Sequence, residues 1–67
     1  MIPVSVNGEP KQLAHELNIV QLLDVLQLAG KKVAVERNGE IVPRSRYADT
    51  RVGAGDQLEI VVAVGGG

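Results

Sequence analysis

Gln57-Leu58-Glu59-Ile60-Val61-Val62-Ala63-Val64 runs directly into Gly65-Gly66-Gly67, and the two halves of this stretch make opposite demands. The first half begins with polar and apolar residues in alternation and ends in an unbroken apolar run from Ile60 to Val64. A run of that kind belongs in the middle of a sheet, because at an edge it would template aggregation. If Glu59 faces water, the period of two turns Leu58, Ile60 and Val62 inward and leaves Val61 and Ala63 on the open face. The glycines can contribute nothing to a core. They have no Cβ, reach φ values closed to other residues, and extend roughly 10 Å when stretched out. The expectation is a domain over residues 1–64 and a flexible C-terminal glycine tail over 65–67, with the terminal carboxylate as the functional group.

Upstream, Gly53-Ala54-Gly55-Asp56 reads as a turn, and Arg44 to Asp49 as a single helical turn around Tyr47. Val33 and Val35 open a strand that Asn38-Gly39 folds back through Ile41 and Val42, ending at Pro43. Ahead of it lies a helix with a clear start. Asn18 can cap it, with Gln21 three residues on as a capping box requires. Ile19, Leu22, Leu23, Leu26 and Ala29 form one apolar stripe. Gly30 is the expected stop, which places Lys31 and Lys32 near the negative end of the helix dipole. The chain opens with Ile2, Val4 and Val6 in alternation, an Asn7-Gly8 turn, and a second strand over Pro10 to Ala14 with Leu13 inward.

The order is hairpin, helix, then more strands, and one helix can cover only one face of a sheet. Setting the last strand beside the first makes that pair parallel through a crossover. The expected fold is α+β, a ubiquitin-like β-grasp: a mixed sheet of about five strands with one main helix packed on one face.

Composition removes several function classes. Cysteine is absent, so no thiolate can act as nucleophile or metal ligand. Net charge is −1, and Tyr47 is the sole aromatic residue, so the basic, aromatic surface of a nucleic-acid binder is missing. Arg44, Arg46 and Arg51 are offset by Glu36, Glu40 and Asp49, a mixed-charge surface. No apolar stretch approaches the roughly 20 residues of a membrane span. The opening residues do not read as a secretion signal, and a cytoplasmic location is expected.

Catalytic candidates are weak. His15 has only Glu16 nearby, adjacent in sequence and tending to point elsewhere. Gly53-Ala54-Gly55 lacks the lysine and helix of a phosphate loop. Asp56 and Glu59 read as solvated charges. The expectation is no catalytic residue, no metal site and no cofactor bound by the chain itself. The tail, by contrast, has a chemistry if a partner enzyme activates it, since a carboxylate joined to AMP becomes an electrophile that a sulfur nucleophile can attack.

Three segments carry a family resemblance: Val35-Glu36-Arg37-Asn38-Gly39-Glu40-Ile41-Val42-Pro43-Arg44, Gly55-Asp56-Gln57-Leu58-Glu59-Ile60-Val61, and Ala63-Val64-Gly65-Gly66-Gly67. With these, essentially the whole chain resembles the ThiS family, the sulfur carriers of thiamine thiazole biosynthesis. The resemblance implies a protein co-substrate rather than an enzyme. Gly67 would be adenylated by an E1-like, ThiF-type adenylyltransferase that consumes ATP, then converted to a thiocarboxylate. A cysteine desulfurase or rhodanese-like protein would supply the sulfur, and a ThiG-type thiazole synthase would receive it. Gly65 and Gly66 would thread the partner's active site, with Val61 and Ala63 as the docking surface. Alternatives are the small subunit of molybdopterin synthase, another ubiquitin-like carrier or modifier, and a β-grasp interaction module that carries nothing.

Overall fold

The computed structural model describes residues 1–63. Strand β1 (Ile2–Val6) turns through Asn7-Gly8 into β2 (Glu9–Leu13). A short β3 (Leu17–Asn18) leads into α1 (Ile19–Val25). Then come β4 (Val33–Arg37), β5 (Glu40–Val42), a 3-10 turn at Arg44–Arg46, β6 (Arg51–Val52) and β7 (Gln57–Val62). The main sheet has the order β2-β1-β7-β4-β5, and β3 pairs with β6 in a separate two-stranded ribbon.

Both hairpins turn where an Asn-Gly pair supplies two left-handed residues in a row, Asn7 and Gly8 at φ 52° and 81°, Asn38 and Gly39 at φ 52° and 87°. The apolar β7 is central, as its sequence demands. It runs parallel to β1 through Ser5↔Gln57 and Val6↔Leu58, and antiparallel to β4 from Val33↔Val62 to Arg37↔Leu58. The edges fall to β2, which carries Pro10 and Lys11, and to the three-residue β5. Proline, charge and shortness are the usual protections of an edge.

The helix begins as expected. Asn18 Oδ1 accepts from Gln21 N at 2.8 Å, and Gln21 Oε1 accepts from Asn18 N at 2.9 Å, a complete capping box. Ile19, Leu22 and Leu23 are buried from this helix against Val4, Val35, Leu58 and Ile60 of the sheet. Full burial of each such aliphatic side chain is worth about 1.5–3 kcal/mol.

The helix stops earlier than Gly30. Gln27 adopts φ 62° and donates its N–H to Asp24 O, while Leu28 N–H reaches back to Leu23 O at 2.7 Å. This pair of bonds is a Schellman closure with glutamine where glycine is usual. Local hydrogen bonding and the seating of Leu28 against the core therefore end the helix five residues before Gly30. Ala29 is consequently exposed instead of completing the stripe, and Lys31 and Lys32 lie beyond the last turn rather than on it. The second strand starts and ends one residue earlier than the span Pro10 to Ala14. The β3–β6 ribbon has no counterpart in the sequence pattern. It forms where Leu17 and Val52 meet in register, and Ile19 N–H is held by Tyr47 O and Thr50 O, both at 3.1 Å.

Candidate functional site: the end of the central strand

Everything that fixes β7 converges from both sides. Asn7 Oδ1 accepts from Ile60 N at 2.8 Å and its Nδ2 donates to Ile60 O at 3.0 Å. From the other hairpin, Asn38 N donates to Gln57 O at 2.7 Å while Asn38 Oδ1 accepts from Gln57 N at 2.9 Å. Asn7 thus uses its side-chain amide as an extra peptide group on β7, whereas Asn38 meets Gln57 with its backbone N–H and its Oδ1.

Asp56 locks the start of the strand. Its carboxylate accepts from Gly53 N (2.9 Å), Arg37 Nε (2.9 Å) and Asn38 Nδ2 (3.2 Å). It is 8% exposed, so the expectation of a solvated charge is corrected. The turn at Gly53-Ala54-Gly55 folds the carboxylate under itself, and three donors replace the water. Burial by itself would raise the pKa of this carboxyl. The Gly53 bond, the Arg37 and Asn38 bonds and the Arg37 charge outweigh it and hold the group below its usual value.

At its other end β7 arrives at the tail. Ala63 N donates to Lys32 O at 2.9 Å, and Val62 lies opposite Val33. Leu58 and Ile60 are buried as the alternation requires, but Val62 is 37% exposed. It is the last residue of β7, on the same side of the strand as Leu58 and Ile60 by the alternation. Val61 is 65% exposed on the opposite, open face, and Ala63 is exposed beyond it. Residues Val64, Gly65, Gly66 and Gly67, including the expected carboxylate site and the threading segment, lie outside the described residues.

The open face holds more than the alternation of β7 foresaw. Ala34 pairs with Val61, Glu36 with Glu59, and Ile41 with Glu36. Ile41 is 65% exposed. Two carboxylates directly opposite one another repel, and they flank a shallow depression of about 530 Å³ bounded by the Gly8 and Gly39 turns. Cross-strand register brings these residues together, so no reading of one segment could assemble them.

Among the described residues no His, Cys, Asp and Glu group could hold a metal. His15 is exposed, its Nδ1 3.1 Å from the carbonyl of Glu16. The Gly53–Gly55 segment is a turn closed by Asp56. Among the described residues no helix is long and apolar enough to cross a membrane.

Among the described residues one α-helix lies on a mixed five-stranded sheet with a parallel central pair, and this arrangement defines a ubiquitin-like β-grasp protein. The chain belongs to the ThiS family, whose model it matches over residues 4–67. It is 38% identical to the sulfur carrier protein ThiS of Bacillus subtilis, over 96% of this chain and 98% of that one. The crystal structure of the thiamine biosynthesis protein ThiS from Geobacter metallireducens superposes with a TM-score of 0.85 at 38% identity, covering 98% of this chain and 100% of the other. A thiazole synthase of Paramagnetospirillum magneticum is 48% identical over 62 residues, which are 92% of this chain but 19% of that protein. The chain therefore spans about a fifth of that relative.

Proposed function

We propose that this chain carries sulfur as a thiocarboxylate on Gly67 for the building of the thiamine thiazole. The observation that supports this most is that the family match runs through the glycines to residue 67, on a fold whose central strand ends at Val62. The body is the handle and the tail is the reagent.

In the first step a carboxylate oxygen of Gly67 attacks the α-phosphorus of ATP in an E1-like partner. Pyrophosphate leaves and an acyl adenylate forms. A hydrosulfide-level nucleophile, delivered by a sulfur donor protein, then adds to the carbonyl carbon. The C–O bond to AMP breaks, leaving a thiocarboxylate and free AMP. A thiazole synthase accepts the sulfur. Each step needs the terminus inside an enclosed site where positioned dipoles stabilise the developing charge. A side chain at Gly65 or Gly66 would widen the segment that has to enter. The chain supplies no catalytic group, and ATP belongs to the activating enzyme. The thiazole synthase relative contains a region similar to this chain, which supports that class of enzyme as a partner.

The test is direct. Incubation with an E1-like adenylyltransferase and ATP should exchange labelled pyrophosphate. With a sulfur source added, intact mass spectrometry should find one oxygen replaced by sulfur, localised to Gly67. Deleting Gly67 should abolish both signals while leaving the thermal midpoint in place. Absence of exchange and of the thiocarboxylate with the full-length chain would refute the reading.

A further inference from the structure

We propose that the cleft between the Val20–Leu23 side of α1, the Gly30–Lys31 loop and the 3-10 turn is a second docking surface, built for an acidic, apolar-tipped segment of a partner enzyme. It lies on the opposite side of the sheet from Val61. The proposal rests on the carrier reading and adds to it a surface and the chemistry that fits it.

The cleft measures about 290 Å³. Its apolar wall includes Val20, Leu28, Val33 and Tyr47, and its charged lining is Lys31 and Arg44, with no Asp or Glu among the residues that line it. Val20 is 51% exposed there, one turn from the buried Leu23. Among the described residues the sole ion pair is Arg37–Asp56, so neither Lys31 nor Arg44 is engaged with a carboxylate of the folded body. The volume lies just under the usual range for small-molecule pockets, about 300–1,000 Å³. One or two side chains of a protein partner would fill it, as anchor residues fill hot-spot pockets.

Position argues for function as well as shape. Val33 in the wall is the cross-strand partner of Val62, and the neighbouring Lys32 receives the Ala63 N–H. The cleft therefore adjoins the strand end from which the chain continues into the glycines. A partner gripping it would hold the tail close to its own active site. The sign of charge is reversed on the open face, where Glu36 and Glu59 oppose each other. A carrier that visits more than one enzyme gains from two faces of opposite sign, because each attracts a different surface and repels the other.

The test measures binding of the full chain to a purified ThiF-type adenylyltransferase and, separately, to a ThiG-type thiazole synthase, at low and at physiological salt. The double variant Lys31→Glu, Arg44→Glu should weaken binding to one of the two by about tenfold or more, with the loss greatest at low salt. The milder Val20→Ser should weaken the same partner and leave the other unaffected. Both variants change exposed positions, and unaltered thermal midpoints would confirm intact folds. Unchanged affinity for both enzymes would overturn the cleft proposal while leaving the carrier reading standing. If the wild-type chain bound neither enzyme, the carrier reading would fall and this proposal with it. A dimer in sedimentation that the double charge reversal dispersed would assign the cleft to a second copy instead, and would equally overturn it.

Discussion

The side-chain amide of Asn7 is bonded to both backbone groups of Ile60, with Oδ1 accepting at 2.8 Å and Nδ2 donating at 3.0 Å. Asn7 also sits in the left-handed region at φ 52°. One residue therefore turns the first hairpin and clamps the central strand fifty-three positions away, and its two roles can be separated. Asn7→Gly keeps the turn and loses only the clamp, at about 0.5–1.5 kcal/mol per bond. Asn7→Ala loses the clamp and also places a Cβ in the left-handed region, adding about 1–2 kcal/mol. Urea denaturation should rank wild type above Asn7→Gly above Asn7→Ala. Equal stabilities for the two variants would show that the turn contributes nothing.

Asp56 sets an acid limit on stability. Its folded pKa lies below the unfolded value. The stabilisation is therefore fully present above the unfolded pKa, near 3.8, and disappears as pH falls through the folded one. Asp56→Asn should be less stable than wild type at neutral pH, and the gap should narrow as acid protonates the wild-type carboxylate. Chemical denaturation from pH 7 down to pH 2 would check this, and a gap independent of pH would contradict it.

Gln27 occupies the left-handed position that closes α1, where glycine pays no Cβ penalty. Gln27→Gly should relieve about 1–2 kcal/mol of backbone cost and give back part of it through a freer unfolded chain. A net gain of up to about 1 kcal/mol, seen as a higher urea midpoint, is expected. The side chain is exposed, so lost packing should not mask the gain. A lower midpoint would count against this account of the helix end.

Val61 stands out on the open face beside Ala34, next to the Glu36–Glu59 pair. Val61→Asp should leave the fold intact, because the residue is already largely in water. Binding to the activating enzyme or to thiazole synthase should weaken by roughly tenfold or more if this face is gripped near its centre. Titration calorimetry against each enzyme is the measurement. Unaltered affinity for both would leave the tail without docking help from this face.

How much of this was readable in the chain follows from the range of the interactions concerned. Both Asn-Gly turns, the Asn18 capping box, the central place of the apolar last strand and the inward set Leu58 and Ile60 depend on neighbours within a few residues, so the sequence by itself determined them. Residues 64–67 lie outside the described residues, and what is proposed for them rests on composition and on the family match alone. Tertiary structure alone decided the rest. The helix ended at Val25, closed by left-handed Gln27, because Leu28 found a seat on the core. Leu17 met Val52 to form an unforeseen ribbon. Asp56 became buried because Arg37 and Asn38, nineteen and eighteen residues away, supplied its hydrogen bonds. The pairing of Val61 with Ala34 and of Glu59 with Glu36 depended on strand register, as the cleft beside Lys31 and Arg44 depended on how the 3-10 turn packs against α1. Periodicity says which side of a strand a residue takes, but only the closed fold says what stands opposite it, because those partners are brought together by chain closure and not by spacing.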